Sequence, residues 1–546
     1  MQARAGTVLR FTLALLISMG LLVACDQTHS ERVPKPEVAG WPTVGGEAGG
    51  TRYSPLSQIN RENVHRLEVA WMARTTPAEE APPKAAQTAF EATPVLFEDR
   101  LLFCTPRNRL LSLDARTGET QWTFDARPDL ENVWTPKCRG VAVWADPELQ
   151  SGPCTARVFM GTLDGRLIAR DARTGESCRD FGDQGQIHLR PGLGHVAPGE
   201  YTLTSPPAVV GDVVAVGASV GDNRRLLPPG GVIRGFDVRS GALRWAFDPV
   251  PPGTPPLPPD AQGRPRYHRG TPNAWSLLSV DTEREWLLIP TGTASPDFFG
   301  GLRNGADHYA NSVIALDGRS GEVKWSFQTV HHDLWDYDVP SQPSLIDLDI
   351  ENEKVPAVVQ PTKMGHLFLL DRKTGESLYP IEERAVPQSD VPGEYTSPTQ
   401  PFPTHPPPLH PNRLEPEDAF GFTFWDKGKC RDLITSLRNE GIFTPPSLGG
   451  SIVYPGTSGG SNWGSAAWDP QRGLLVLQQN HIAQKHQLVP RESFDESLRP
   501  RSQGSAVLAM DGTPYRAIQE VLLSPFGVPC TPTPWGTLMA IDLTSG

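Results

Sequence analysis

The sequence predicts an all-β protein in which small sheets repeat around a ring, as in a β-propeller. Three observations carry that prediction: a recurring hairpin pattern, a composition rich in turn formers, and a chain too long for one compact core. At 546 residues the chain needs several domains or an architecture that grows by repetition. Glycine (52) and proline (56) are abundant while 21% of residues are charged, which suits short strands joined by turns rather than helices or disorder.

The hairpin pattern is the strongest of the three. It appears as "LLSLDARTGETQW" ending at Trp122, "LIARDARTGESCR" at Arg179, "IRGFDVRSGALRW" at Trp245, "VIALDGRSGEVKW" at Trp325 and "LFLLDRKTGESLY" at Tyr379, and is cut short as "LMAIDLTSG" at Gly546. Each copy has an apolar strand, an aspartate, a turn with Thr/Ser-Gly and a second strand. Glycine supplies the positive φ of the turn, and the Asp and Thr/Ser side chains can bond its backbone. In three copies a tryptophan stands eight residues after the aspartate (Asp114 to Trp122, Asp237 to Trp245, Asp317 to Trp325), placed to bury its ring against a neighbouring unit. Successive aspartates (114, 171, 237, 317, 371) are 54 to 80 residues apart, the length of a four-stranded sheet with variable connections.

The N-terminus carries a separate signal. Arg4 and Arg10 precede the apolar run "FTLALLISMGLLVA", and "LVAC" ends at Cys25. A basic start, a short apolar segment and small residues describe a secretory signal. The run is just short of a comfortable membrane span, so a plain anchor is the alternative. Residues 1–25 are read as the signal, 26–40 as a linker and 41–546 as the body. The six cysteines beyond Cys25 form neither CxxC nor a zinc spacing, so disulfides are expected over metal ligation; Cys154 with Cys178 is a plausible local pair. The net charge of −12 disfavours nucleic acid as a partner.

The repeat resembles the tryptophan-docking motif of quinoprotein propellers. The segment "WPTVGGEAGGTRYSPLSQINRENVHRLEVAWMAR" (41–74) is similar to the opening of the eight-bladed dehydrogenases that use pyrroloquinoline quinone (PQQ). The blocks "TSPPAVVGDVVAVGASVGDN", "HHDLWDYDVPSQP", "GIFTPPSLGGSIVYPG" and "LSPFGVPC" resemble the membrane-associated glucose and quinate branch. "LVAC" resembles a bacterial lipobox, which implies lipidation at Cys25, and Asp26 resembles an inner-membrane retention signal. The resemblance implies an eight-bladed ring in which "LEVAWMAR" pairs with the last blade. The family pattern continues for one to two blades past "AIDLTSG", so the ring is expected to be truncated at Gly546, exposing strand edges.

The resemblance also implies the chemistry. PQQ accepts hydride from a substrate hydroxyl, a base takes the proton, and Ca²⁺ (or Mg²⁺) acts as Lewis acid. Asp336, in "HHDLWDYD", matches the base; a carboxylate within reach of the hydroxyl can do this work. The surrounding His331, His332, Asp333 and Asp338 are read as the frame that orients it, not as a metal cluster, because no third soft ligand stands nearby. Lys363 matches the lysine that contacts the quinone oxygens, and Trp275 the tryptophan under the planar cofactor. Arg139 is suited to a PQQ carboxylate, and Trp535 is placed in the same channel. Asp222, Asn223 and Ser295 are the cation ligands, with oxygen donors of the right type.

Two departures bear on substrate: Thr135 stands where the glucose branch has a histidine, and Gln478 where it has an asparagine, with Asn480 on the same strand face. The implied substrate is therefore a sugar, polyol or cyclitol rather than glucose in particular. The absence of CxxCH in the chain points to membrane ubiquinone as electron acceptor. The expected location is the periplasmic side of the inner membrane through a lipid anchor, with the outer membrane as alternative destination. The rival reading is a non-catalytic propeller lipoprotein acting as an envelope assembly scaffold, which would not need "HHDLWDYD", Lys363 or "GDN".

Overall fold

The computed structural model describes residues 40–76, 88–149, 151–500 and 504–546. The expected signal with Cys25, and all of the linker but Gly40, lie outside them. Gly40–Ser54 and Ile59–Gly546 form one compact unit, described here; Pro55–Gln58 group apart from it.

Four antiparallel sheets of four strands follow one another in chain order. The first holds Val95–Phe97, Arg100–Cys104, Arg109–Asp114 and Thr120–Asp125; the second Ala142–Ala145, Ala156–Gly161, Arg166–Asp171 and Gln186–His188. The third holds Ala208–Val210, Val213–Val216, Ile233–Asp237 and Leu243–Phe247; the fourth Ser279–Asp281, Trp286–Pro290, Ser312–Asp317 and Val323–Gln328. Two three-stranded sheets continue the series: the fifth is Ser344–Ile350, Glu353–Pro361 and Leu367–Asp371, and the sixth Ala466–Asp469, Leu474–Asn480 and Gly536–Asp542. Between the fifth and sixth the chain inserts a hairpin (Ile381–Ala385 with Thr399–Pro403), the helix Phe424–Ser436 and part of a further four-stranded sheet.

Alternation along each strand explains how the sheets stack. In "VVAV", Val214 and Val216 join the apolar cluster shared with the second sheet (Phe159, Leu167), while Val213 and Ala215 face the fourth (Leu287, Ile314). Similar clusters join first to second (Leu102, Leu110 with Val158, Ile168), fourth to fifth (Leu288, Val313 with Val358, Leu370) and fifth to sixth (Val359, Leu369 with Leu475, Ile541). Each of the first five sheets thus packs face to face on the next in the series, the radial plan of a β-propeller. Each buried Leu, Ile or Phe contributes about 1.5–3 kcal/mol relative to exposure, which favours stacking over isolated sheets.

The motif works as its residues predict. Asp114 Oδ1 accepts the backbone N–H groups of Arg116 and Thr117 at 2.9 Å, and Asp237, Asp317 and Asp371 repeat the arrangement. The turn glycine has a second role beyond its positive φ. A Cβ on Gly175, Gly321 or Gly375 would lie 2.5–2.8 Å from the ring of Trp122, Trp245 or Trp325, so the absent side chain is where the preceding sheet's tryptophan docks. Trp245 Nε1 also donates to Gly318 O at 2.9 Å, and Trp325 Nε1 to Arg372 O at 3.1 Å.

Two copies differ. Cys178 is bonded to Cys154, the local pair expected, and the edge strand of the second sheet comes later, at Gln186–His188. After Asp371 the chain makes one bridge, Leu370 to Ser377, in place of a fourth strand. Residues 67–74, expected as a pairing strand, form no ladder with the described residues; Leu67, Val69 and Met72 are exposed at 59%, 78% and 89%. Trp71 nevertheless sits on Gly118, as the other tryptophans sit on their glycines. The remaining disulfides are Cys104–Cys138 and Cys430–Cys530. Among the described residues no helix is long and apolar enough to cross a membrane.

Candidate active site

Connections between successive sheets meet around a cavity of about 460 Å³. Arg139 follows the short strand Lys137–Cys138, and the Cys104–Cys138 disulfide ties that strand to the first sheet. Asp222 and Asn223 follow the strand Ser219–Val220 of the third unit, and Trp275 precedes the fourth sheet. Asp336 and Asp338 lie between the fourth and fifth, and Lys363 follows the long strand Glu353–Pro361. All of these side chains line the one cavity.

The segment "HHDLWDYD" is held from both sides. Trp335 and Tyr337 are fully buried; Trp335 Nε1 donates to Thr444 O at 2.7 Å and Tyr337 O–H to Pro455 O at 2.8 Å. With both neighbours turned into the core, Asp336 between them is directed the other way, at a left-handed φ of 59°. Such a conformation is uncommon for a non-glycine residue and persists only where its surroundings impose it. Asp333 accepts the N–H groups of Trp335 (2.9 Å) and Tyr337 (2.7 Å) and also bonds Thr293 Oγ1 and Asn311 Nδ2. His331 contacts Gln328 and Glu383; His332 bridges Asp307 (2.9 Å) and Glu394 (3.1 Å). Those three residues are the frame expected. Asp338 departs from that role: it lines the cavity, where its Oδ2 accepts from Trp275 Nε1 and Lys363 Nζ, both at 3.2 Å.

Lys363 donates to Asp336 Oδ1 at 2.8 Å and to Asp336 O at 2.7 Å. It stands among four carboxyl groups that line the same cavity, Asp297 and Asp338 buried and Asp222 and Asp336 half-buried. Burial, then the charge of Asp338, pushes Asp222 up to about 7, with Lys363 opposing. Burial also raises Asp336 well above the ordinary carboxylate range despite Lys363, and Asp338 and Asp222 add to the rise. Burial and the three neighbouring carboxylates do the same to Asp297. Burial works against the charge on Asp338 too, but Lys363 and the Thr293 N–H overcome it and hold its pKa low. Carboxyls pushed apart in this way are suited to proton transfer.

The donors fit a hard divalent cation. Asn223 Nδ2 bonds Asp297 Oδ2, and Asn223 Oδ1 accepts from Asp297 N at 3.1 Å, so one loop clamps the other. Asp297 Oδ1 is buried without a hydrogen-bond partner, as an unfilled ligand position would be. Among the described residues no three of His, Cys, Asp or Glu form a ready-made metal cage. Asp222, Asp297 and the Asn223 amide are the oxygens available. A planar anionic cofactor fits the other side. The Arg139 guanidinium lies 5.1 Å from the Trp275 ring centre and 5.2 Å from that of Trp463. Arg139 is buried, its pKa lowered to about 10 by that burial against the charge of Glu91. Glu91 Oε2 is 3.0 Å from Arg139 Nε but is not aligned as a hydrogen bond, which leaves both atoms without a partner.

The structure brings together Asp336, Lys363, Trp275, Arg139, Asp222 and Asn223, and leaves four expected residues off the wall. Ser295 is buried with its Oγ unpartnered, and Asp297, two residues on, takes the place at the cavity. Trp535 packs edge-on against Phe420, donates to Thr531 O and is not among the residues lining the cavity. Gln478 and Asn480 do share a strand face, where they bond each other at 2.5 Å, and neither is among the residues lining the cavity. Asn462 and Trp463 line it in their stead, from the connection leading into the sixth sheet. Thr135 lies on the adjoining outer chamber, of about 580 Å³. The residues that sequence reasoning missed are Glu91, Asp297, Asn462 and Trp463. Of these Asp297 alone had a signal, its place within "TASPDFFGG".

Residues 41–546 match the family model described as PQQ glucose/ethanol/alcohol dehydrogenase, β-propeller domain. The chain is 36% identical to the quinoprotein glucose dehydrogenase of Escherichia coli, over 99% of this chain and 70% of that protein. It is 36% identical to the quinate/shikimate dehydrogenase (quinone) of Acinetobacter baylyi, over 93% of this chain and 65% of that protein. The fold matches the quinohemoprotein alcohol dehydrogenase of Comamonas testosteroni with a TM-score of 0.62 at 22% identity, covering 93% of this chain and 66% of that one. On its repeat, its cavity and these likenesses together, the chain belongs to the PQQ-dependent dehydrogenase β-propellers, in the branch of the membrane glucose and quinate dehydrogenases.

Proposed function

We propose that this protein oxidises a hydroxyl group of a sugar, polyol or cyclitol. The observation that carries the reading is the Asp336 carboxyl, buried beside three other carboxyls and held by a single lysine. When bound, PQQ supplies the hydride acceptor and a calcium or magnesium ion beside it supplies Lewis acidity. Asp336 accepts the substrate hydroxyl proton; its elevated pKa makes it the stronger base, and the fixed loop holds it without reorganisation. Lys363 keeps the Asp336 carboxyl in position through Oδ1, on the cavity wall where a substrate hydroxyl would lie. Trp275 and Trp463 form flat apolar surfaces next to Arg139, which would pair with a carboxylate of the cofactor when it is bound. Asp222, Asn223 and Asp297 hold the cation.

Three disulfides support an oxidising compartment, the periplasm, with attachment through a lipid on Cys25 and membrane quinone as electron acceptor. Reconstitution of the apo-protein with PQQ and Ca²⁺, followed by dye reduction with a panel of sugars, polyols and cyclitols, tests the reading. Cofactor-dependent turnover of at least one of them is expected. A folded protein that binds PQQ under none of these conditions refutes it.

A further inference from the structure

The cation that the proposed chemistry leaves unused is Lys137. It alternates with Cys138 on a two-residue strand; Cys138 is turned to its disulfide with Cys104, so Lys137 shares the face of Arg139. Lys137 lines both the inner cavity, with Arg139 and Trp275, and the outer chamber, with Trp134 and Thr135. Asp336 also lines both. The two side chains therefore face the seam through which a substrate enters.

The other cations of the cavity are committed. Lys363 is bound to Asp336 and Asp338, Arg139 faces Glu91 at 3.0 Å, and Arg224 donates to the carbonyls of Pro198 and Asn132. Lys137 makes no hydrogen bond or close ion pair among the described residues; it is attracted only at longer range by Glu91, a carboxylate shared with Arg139. It is half-buried, where an ammonium has lost part of its hydration and a carboxylate partner gains more than at an open surface. The cavity's other charged lining is the two committed cations, Arg139 and Lys363, and the four carboxyl groups of Asp222, Asp297, Asp336 and Asp338. An anionic substrate with its charge at Lys137 would have its hydroxyl on the side of Asp336, since both residues line the inner cavity and the outer chamber.

We propose that Lys137 is a specificity-determining residue that selects substrates carrying a carboxylate, so that the favoured substrate is a polyhydroxy or cyclitol acid rather than a neutral sugar. This rests on the dehydrogenase reading above and narrows its substrate class. The same ammonium could instead meet a carboxylate of PQQ, and the test separates the two. Holoenzyme and its Lys137→Gln and Lys137→Arg variants are assayed with two matched pairs, quinate against methyl quinate and gluconate against glucitol. PQQ affinity of each apo-protein is measured separately by fluorescence titration.

The expected result is a kcat/KM for the acids that falls about 10- to 100-fold in Lys137→Gln, the scale of one lost charge-assisted hydrogen bond, and recovers in Lys137→Arg. The neutral partners and PQQ affinity should change less than about threefold on the same scale. An unchanged acid-to-neutral ratio overturns the proposal, and so does an equal loss in PQQ affinity, which would assign Lys137 to the cofactor. Turnover of neutral sugars with no acid oxidised also overturns it while leaving the dehydrogenase reading intact. Failure of the wild-type protein to bind PQQ removes both.

Discussion

Replacing Lys363 with Met removes the ammonium that stands between two buried carboxyls. Its Nζ is 2.8 Å from Asp336 Oδ1 and 3.2 Å from Asp338 Oδ2, and all three side chains are largely withdrawn from solvent. Methionine keeps the length of the stem, so packing changes little. Deleting one partner of a buried ion pair costs about 3–5 kcal/mol because the other is left charged and unpaired. The carboxyls have an escape: they can take up protons. In the unfolded chain they titrate near about 3.9, and without Lys363 their folded pKa values lie far above this. The variant therefore loses little at about pH 4.5, and the loss grows with pH because the folded state alone must give up protons against burial. Guanidinium unfolding of the apo-chain, wild type and variant side by side at about pH 4.5 and 8, reads the difference. The account predicts a stability gap at pH 8 that shrinks strongly at pH 4.5. An equal gap at both values, or none, would show that Lys363 does not compensate these carboxyls.

Other consequences follow from single contacts. Gly321→Ala places a Cβ at a φ of 73° and 2.8 Å from the Trp245 ring, so about 2–4 kcal/mol of stability should be lost, measurable by denaturation. Gly253→Ala, at a positive φ with no neighbouring atom within 4 Å, should lose the backbone share alone. His366 is fully buried among Phe368, Phe402 and Phe443, and neither ring nitrogen has a partner; burial lowers its pKa to about 3. The unfolded chain protonates it below about pH 6.5 and the folded chain does not, so stability drains as pH falls from there towards 3. His366→Phe should flatten the acid limb of the stability curve, by at most about 4–5 kcal/mol at its foot. An unchanged acid limb would mean that the ring finds a partner in solution.

Much of the fold was legible because the repeat is local. Aspartate, glycine and tryptophan act within thirteen residues, and each has a mechanism that can be read without knowing the neighbours: a turn acceptor, a positive φ and a large ring that docks. The insertion between the fifth and sixth sheets lacks that periodicity, and its extra sheet joins strands far apart in the chain. The cavity wall was legible where one short block holds both the residue and its frame, as in "HHDLWDYD", whose buried Trp335 and Tyr337 direct Asp336 towards the cavity. Asp297 was only half legible: it stands in the block that holds Ser295, but its clamp to Asn223, 74 residues earlier, has no local trace. Alternation correctly places Gln478 and Asn480 on one face, but a period of two does not say what that face meets. Trp463 and Asn462 hold the wall because their loop approaches Lys363 and Arg139 in space, a contact with no trace in local sequence.

The central claim is that Asp336 is the base and that the rest of the cavity binds without it. The direct measurement is Asp336→Asn, with PQQ affinity and turnover determined on the same preparation reconstituted with Ca²⁺. The amide keeps the shape of the side chain and can still meet Lys363 through its oxygen, but it cannot take the hydroxyl proton. The account predicts PQQ bound nearly as well as in the wild type, with turnover reduced about 100-fold or more. Turnover that survives nearly unchanged would contradict it.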